Sequence, residues 1–432
     1  MAEAALNDTE SPDPPDLSKG EFSLLAIQHV FAMFGATVLV PLLTGMNPSV
    51  ALISAGLGTL VFHAVTGGQV PVFLGSSFAF IGVITVVGAK KAANFPYVGG
   101  GLLVAGLLYC VFAGIVRLVG PGIVKKLFPP VVTGPVIMVI GLHLAPVAVG
   151  MAAKNWWLAL VPIVTIIGIS CFMEGFFRLV PIIIGIVVGY LVAACFGLVD
   201  FSGVQHALDQ KQFFSKQLFI SFKDFTLPKF RWASIMTIAP IALVTLMEHI
   251  GDVTTNGAVV GKDFVKKPGL HRTLLGDGLA TMLAGLIGGP ANTTYSENTG
   301  VLAVTRNYNP AVIRLAAVFA ILMGLLKPVS VLLKTVPVPV MGGVSFLLFG
   351  MIASIGMRTI SEAKIDFTHS RNLIIVTLIL VTGLARPTPG LSPGIAITIK
   401  KVSISGIALA ALVGLVANLI LHIILPDNPD SD

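Results

Sequence analysis

The sequence predicts an all-α polytopic membrane protein of fourteen segments in two sevens, with short antiparallel strands in the third and tenth. Three observations predict it. Mean hydropathy is +0.94, and 55% of the 432 residues are hydrophobic against 11% charged, unlike a soluble domain. Apolar stretches of about 17–22 residues, each long enough to cross a hydrocarbon core as a helix, recur from Phe22 to Leu425. The chain is also broken in the same way at matching places in its two halves.

Residues 1–20 are polar and acidic and read as a disordered tail. With Gly, Pro and charge as punctuation, the first seven segments fall near 22–43, 49–66, 70–87, 98–118, 129–149, 155–175 and 180–197. A polar, aromatic-rich connection spans 200–231. The second seven fall near 232–255, 273–288, 290–304, 310–326, 337–355, 372–385 and 402–425, before a short tail at 426–432. Three short likenesses link the halves. Ile27-Gln28-His29-Val30 resembles Met247-Glu248-His249-Ile250, Ser76-Ser77-Phe78 resembles Thr293-Thr294-Tyr295, and FPPVVTGPV (128–136) resembles VPVPVMGGV (336–344). Because each half has an odd number of segments, such copies enter the membrane in opposite directions, as an inverted repeat.

Segments three and ten begin with Pro, Gly, β-branched and hydroxyl residues (Val70 to Ser77, Gly289 to Tyr295) and then turn apolar and helical. Each is expected to be half extended and half helical. Extended backbone at membrane depth needs protein partners, so the two are expected to pair. Their half-helix N-termini then offer free N–H groups to carbonyl oxygens or anions.

Glu248 and Glu297 stand in apolar sequence, where a carboxylate costs several kcal/mol unless it faces protein or a water-filled cavity. No basic residue lies within about ten positions of Glu248, so both are expected to hold substrate, carry a proton, or both. A carboxylate accepts hydrogen bonds from adjacent N–H donors, which suits an amide-like ring. Asp252 lies one turn after Glu248 on the same face. Two carboxylates at low dielectric do not readily both stay charged, which makes Asp252 a proton-coupling candidate with Glu248 and Glu297; the alternative is a solvated residue at the mouth. Phe78 and Tyr295, at matching places in the breaks, are expected to wall the site against a flat ring. Gln28, His29, Ser77 and Asn298 are expected to support it from behind, and His249 to be a packing or helix-contact residue. Glu174 and Arg178, at i and i+4, are expected to pair. Cys110, Cys171 and Cys195 read as buried hydrophobes.

There is no P-loop, zinc-ligand spacing or GxSxG elbow, so no enzyme chemistry, cofactor or metal is expected, and a gradient must drive any transport. The net charge of +7 gives no reason to invoke nucleic acid. Basic clusters around Lys125, Lys266 and Lys364 favour cytoplasmic termini, although Lys223, Lys229 and Arg231 of the 200–231 connection would then lie outside.

QHVFAMFGATVLVPLLTG, GSSFAFIG, MEHIGDV, VVGKDFVKKPGLHRTLLGDG and NTTYSENTGVLAVTR resemble the nucleobase–ascorbate transporter family, nearest its bacterial uracil permeases, over roughly residues 20–425. The resemblance implies a 7+7 inverted repeat, with a core domain at 21–127 and 232–327 and a gate domain at 128–199 and 328–425. It implies a plasma-membrane uracil:proton symporter working as a homodimer in the lipid bilayer. Glu248 and Glu297 match the family glutamates that hold the ring, Phe78 and Ser296 match positions whose N–H groups meet its carbonyls, and Tyr295 matches an aromatic at the site. Three positions depart from the best-known relative: Asp252 replaces a histidine, Phe349 a tyrosine and Ser296 a glycine. The alternatives are a xanthine or urate permease of the same family and an anion exchanger of the same fold; paired carboxylates argue against anions.

Overall fold

A computed structural model describes residues 18–89, 91–120, 122–202, 204–205, 219–385, 395–399 and 402–424. The expected tails at 1–17 and 426–432 and part of the 200–231 connection lie outside the described residues. The first half carries α1 (Lys19–Thr44), α2 (Pro48–Val65), β1 (Leu74–Ser76), a 3-10 turn (Phe78–Phe80), α3 (Ile81–Gly88), α4 (Phe95–Val119), α5 (Gly122–Leu127), α6 (Pro130–Ala152), α7 (Trp156–Phe172) and α8 (Pro181–Cys195). The second carries α9 (Trp232–Ile238), α10 (Ile241–Val260), α11 (Leu270–Ile287), β2 (Asn292–Thr294), α12 (Ser296–Thr305), α13 (Pro310–Leu325), α14 (Lys327–Lys334), α15 (Val338–Glu362) and α16 (Ser370–Leu384). It ends with β3 (Ala396–Ile399), β4 (Val402–Ser405) and α17 (Gly406–Ile424).

Local chemistry sets these boundaries. Ser18 caps α1 through a reciprocal box: its Oγ accepts from Glu21 N, and Glu21 Oε2 accepts from Ser18 N at 2.9 Å. Helix α1 ends where Gly45 turns left-handed at φ 84°. Asn47 caps α2, with Pro48 in the first turn. Six helical stretches are long and apolar enough to cross a membrane: Lys19–Thr44, Pro48–Val65, Ala92–Val119, Pro130–Ala152, Trp232–Val260 and Val338–Glu362. Six shorter apolar helices accompany them among the described residues.

The packing falls into two groups. α2 packs on α11 and α13, α4 on α11, and α1 on α13; separately, α6 packs on α15 and α16, α7 on α8, and α16 on α17. Paired glycines permit the closest approaches. A Cβ on Gly285 would lie 2.7 Å from the Gly99 carbonyl between α4 and α11, and one on Gly356 would lie 2.5 Å from the Gly134 carbonyl between α6 and α15.

Several expectations need correction. The N-terminal tail stops short of residue 20, because Ser18 already caps α1. Residues 402–405 are not the start of the last helix but strand β4 of a hairpin with β3, and Gly406 (φ 60°) turns the chain into α17. The alternating, β-branched run from Ala396 to Ser405 carried that signal. Glu174 and Arg178 form no ion pair among the described residues, because Gly175–Leu179 is a 3-10 turn and the i, i+4 positions do not face each other there. The three cysteines are free. Cys110 is half-buried, but Cys171 and Cys195 lie on the outer surface of their helices, where hydrocarbon is as suitable a neighbour as protein interior. The described part of the 200–231 connection is tied down, with Ile220 N donating to Leu325 O, Thr226 N to Ile287 O and Lys229 N to Pro96 O.

Candidate functional site

The two broken segments meet. β1 and β2 pair antiparallel in the register Leu74↔Thr294, Gly75↔Thr293 and Ser76↔Asn292. Ser77 N donates to Ala291 O at 2.8 Å and Tyr295 N to Phe73 O at 3.0 Å. One bond maps onto the other by a shift of 218 residues, from Ser77 to Tyr295 and from Phe73 to Ala291. This two-fold pattern corrects the expected equivalence by one residue. Ser77, not Phe78, matches Tyr295, and both cap a helical turn; Phe78 matches Ser296 as the first residue inside it. The N–H groups that open each turn have no acceptor within it.

Extended backbone at this depth is satisfied by side chains that the sequence reading missed. Thr59 Oγ1 accepts from Leu74 N at 2.9 Å while donating to Ala55 O of its own helix at 2.8 Å. His63 Nε2 lies 3.0 Å from Val72 O. Asn256 Nδ2 donates to Pro71 O at 3.2 Å and Thr281 Oγ1 to Asn292 O at 2.9 Å, while the Asn292 side chain ties β2 to α2 by donating to Ser54 O at 2.9 Å. Buried polar residues in apolar helices are the signal that would have found them, since each backbone group freed at membrane depth needs a partner.

The carboxylates gather on this ladder. α10, which carries Glu248 and Asp252, packs against β2 and α12. Asp252 is half-buried, and its Oδ2 accepts from Thr294 Oγ1 at 2.7 Å, which ties it to β2. Glu248 is half-buried, and its Oε2 is enclosed without a hydrogen-bond partner among the described residues. Glu297 lies in the first turn of α12, where the helix dipole favours negative charge. The carboxylates of Asp252, Asp277 and Glu297 are all within electrostatic reach of Glu248. No Lys or Arg among the described residues forms an ion pair with any of them.

The aromatic residues have distinct placements. Tyr295 is 3% exposed; its hydroxyl donates to Ser76 O at 2.9 Å and accepts from Thr37 Oγ1 at 3.3 Å, fastening its ring across β1. Phe78 meets Phe349 of α15 edge to face, with centroids 6.1 Å apart and planes at 79°. This contact joins the two packing groups at the site. Behind it, Asn298 Nδ2 donates to His29 O at 3.0 Å and lies 3.1 Å from His29 Nδ1. The Gln28 Oε1 and Ser77 Oγ atoms are enclosed and unpartnered among the described residues.

Gly75 shows how tightly the ladder is built. A Cβ there would run into the Tyr295 ring and lie 2.7 Å from Thr37 Oγ1. Gly75→Ala is expected to destabilise the protein by about 1–3 kcal/mol through overpacking and to reduce transport. Thermal unfolding of the detergent-purified variant, which should melt below wild type, checks it.

The comparisons with known proteins decide the family. The model described as Permease family matches residues 20–389. The chain belongs to that family. The permease is 47% identical over 411 residues to the uracil permease of Bacillus caldolyticus, covering 93% of this chain and 92% of that one. It is 47% identical over 421 residues to that of Bacillus subtilis (strain 168), covering 94% and 93%. To the uracil permease of Escherichia coli (strain K12) it is 37% identical over 418 residues, covering 94% and 92%. The relatives are named permeases, so the protein is a transporter and not an enzyme, and its apolar helices make it a multi-pass membrane protein.

The fold is shared more widely. The transmembrane domain of the cyanobacterial bicarbonate transporter BicA superposes with a TM-score of 0.61 at 14% identity, over 92% of this chain and 96% of that one. The murine Solute Carrier 26 family member A9 anion transporter gives 0.66 at 10% identity, over 93% and 68%. At such identities the likeness concerns fold alone.

Proposed function

We propose that the permease imports uracil across the plasma membrane by proton symport. The observation that carries the reading is 37–47% identity, over more than nine-tenths of the chain, to proteins named uracil permease. The site chemistry fits. Uracil carries two ring N–H donors and two carbonyl acceptors; Glu248 and Glu297 offer acceptors to the donors. The N–H groups at Phe78 and Ser296 offer donors to the carbonyls. Phe78 presents an apolar ring edge, and Tyr295 braces the strand beneath. Gln28, His29, Ser77 and Asn298 support these groups from behind.

In this reading the fourteen segments form a 7+7 inverted repeat. The core domain holds segments 1–4 and 8–11, the gate domain segments 5–7 and 12–14, and both termini are cytoplasmic. The two packing groups and the two-fold pattern of the β1–β2 bonds support the division. α5 and α14 stand at the two core-to-gate crossings. The Phe78–Phe349 contact spans the domains, where alternating access would open and close the site. The functional unit is a homodimer.

Uptake of labelled uracil, xanthine and urate into vesicles carrying the protein tests the reading. With acid outside, uracil should accumulate, and a protonophore should abolish accumulation while leaving equilibration. Selective uptake of xanthine or urate would overturn the substrate, and accumulation that follows sodium and ignores pH would overturn the coupling.

A further inference from the structure

One buried pair behind the site has no part in the mechanism above. Asp277 of α11 and His249 of α10 have fully buried side chains, with Nδ1 and Oδ2 in contact at 3.0 Å but outside hydrogen-bond geometry. Asp277 sits between Gly276 and Gly278. A Cβ on Gly276 would lie 2.9 Å from the Phe62 ring, and one on Gly278 would lie 2.7 Å from Tyr109 Cβ. The two glycines therefore let α2 and α4 close over a single carboxylate, although glycine weakens a helix interior. Phe62 also meets the His249 ring edge to face at 6.3 Å. A carboxylate enclosed this way is strongly disfavoured without a counter-group, and His249 is the only such partner among the described residues.

His249 directly follows Glu248, and consecutive helical residues point about 100° apart. While Glu248 faces the ladder, His249 faces back into the helix layer. A side chain reaching about 6 Å from the helix axis sweeps about 1 Å for each 10° of helix rotation, and a misplacement of about 1 Å is enough to cost about a hundredfold where donor and acceptor must align. We propose that His249 and Asp277 are positioning residues: their contact fixes the rotation of α10 on α11 and thereby aims Glu248 at the substrate. The pair takes no part in coupling. This inference rests on the uracil reading.

The test uses the full chain in lipid nanodiscs, with uracil affinity and thermal stability measured together. Wild type is compared with His249→Ala, Asp277→Ala, the double variant and Asp277→Asn, which keeps the side chain's shape and a polar group facing His249. Each alanine variant should bind uracil about 10- to 100-fold more weakly. The double variant should be no worse than the weaker single one, and Asp277→Asn should recover to within a few-fold of wild type. Reconstituted Asp277→Asn should still accumulate uracil when an inward proton gradient drives it. Wild-type affinity in a folded His249→Ala protein would overturn the proposal by showing a purely structural pair. An Asp277→Asn protein that exchanges uracil but no longer accumulates it would overturn it by making the pair a coupling site. If the alanine variants do not fold, His249→Leu against Asp277→Asn gives the same comparison: positioning predicts weakened binding in the first, which has no polar group to meet Asp277, and near-normal binding in the second, and equal affinities overturn it. Failure of wild type itself to bind uracil would count against the functional reading, and this inference would fall with it.

Discussion

Replacing Glu248 with Gln is expected to lower uracil affinity by about 1.5–3 kcal/mol, or about one to two orders of magnitude. The substitution keeps the shape of the side chain and changes one oxygen into an NH2 donor. A ring N–H that met an acceptor then meets a donor, and a charge-assisted hydrogen bond is lost. The fold should not suffer with it. Glu248 forms no ion pair with Lys or Arg among the described residues, so neutralising it leaves no orphaned cation. Its Oε2 is enclosed without a hydrogen-bond partner among the described residues, and burying a carboxylate at membrane depth is itself costly. Glu248→Gln should therefore melt at or above the temperature of ligand-free wild type while binding uracil poorly. Calorimetric titration and a melting curve on one preparation check both halves. Near-normal affinity would show that Glu248 is not the ligand, and a large loss of stability would show that its carboxylate serves the fold.

The separation of stability from binding reflects which features the sequence displayed. Hydropathy made the helical membrane architecture legible, because about 20 consecutive apolar residues have few other uses. The breaks at residues 70–77 and 289–295 were legible because Pro and Gly cluster there, and a proline removes a helix backbone bond whose partner must be satisfied elsewhere at membrane depth. Glu248 and Glu297 stood out because charge is rare there. The register between the halves was not legible: Ser-Ser-Phe against Thr-Thr-Tyr aligns by residue type one position away from the alignment set by the hydrogen bonds of Ser77 and Tyr295. Side-chain similarity and backbone position diverge at such a turn, because the cap contributes through its backbone. Asp277 was overlooked because a lone Asp between glycines has the composition of a loop, and only the contact with His249 reveals it as buried. Strand β4 was absorbed into the last segment because its β-branched residues are as hydrophobic as the helix that follows, and β3 fell between the last two segments.

Asp252→Asn is expected to separate binding from coupling. Asp252 Oδ2 accepts from Thr294 Oγ1 at 2.7 Å, and the amide oxygen of Asn accepts in the same geometry, so β2 and the ladder should keep their shape. What is lost is a group able to bind and release a proton beside Glu248 and Glu297. If that proton travels with uracil, the variant should bind the ring and exchange it across the membrane but fail to concentrate it. The effect is large and has a fixed scale. One pH unit, acid outside, supplies about 1.4 kcal/mol per proton, enough for about tenfold accumulation at equilibrium. Wild-type vesicles with the membrane potential clamped should approach that ratio, and Asp252→Asn should stay near unity. Asp252→His restores a group that titrates near neutrality and should recover part of the ratio. The measurement is the steady-state ratio of labelled uracil inside to outside for the three proteins under one imposed gradient, with counterflow as the control for exchange. Equal accumulation by all three would remove Asp252 from the coupling route and leave Glu297 or Glu248 to carry the proton. Loss of counterflow in Asp252→Asn would mean that the Thr294 contact depends on the carboxylate charge and that the residue maintains the ladder itself.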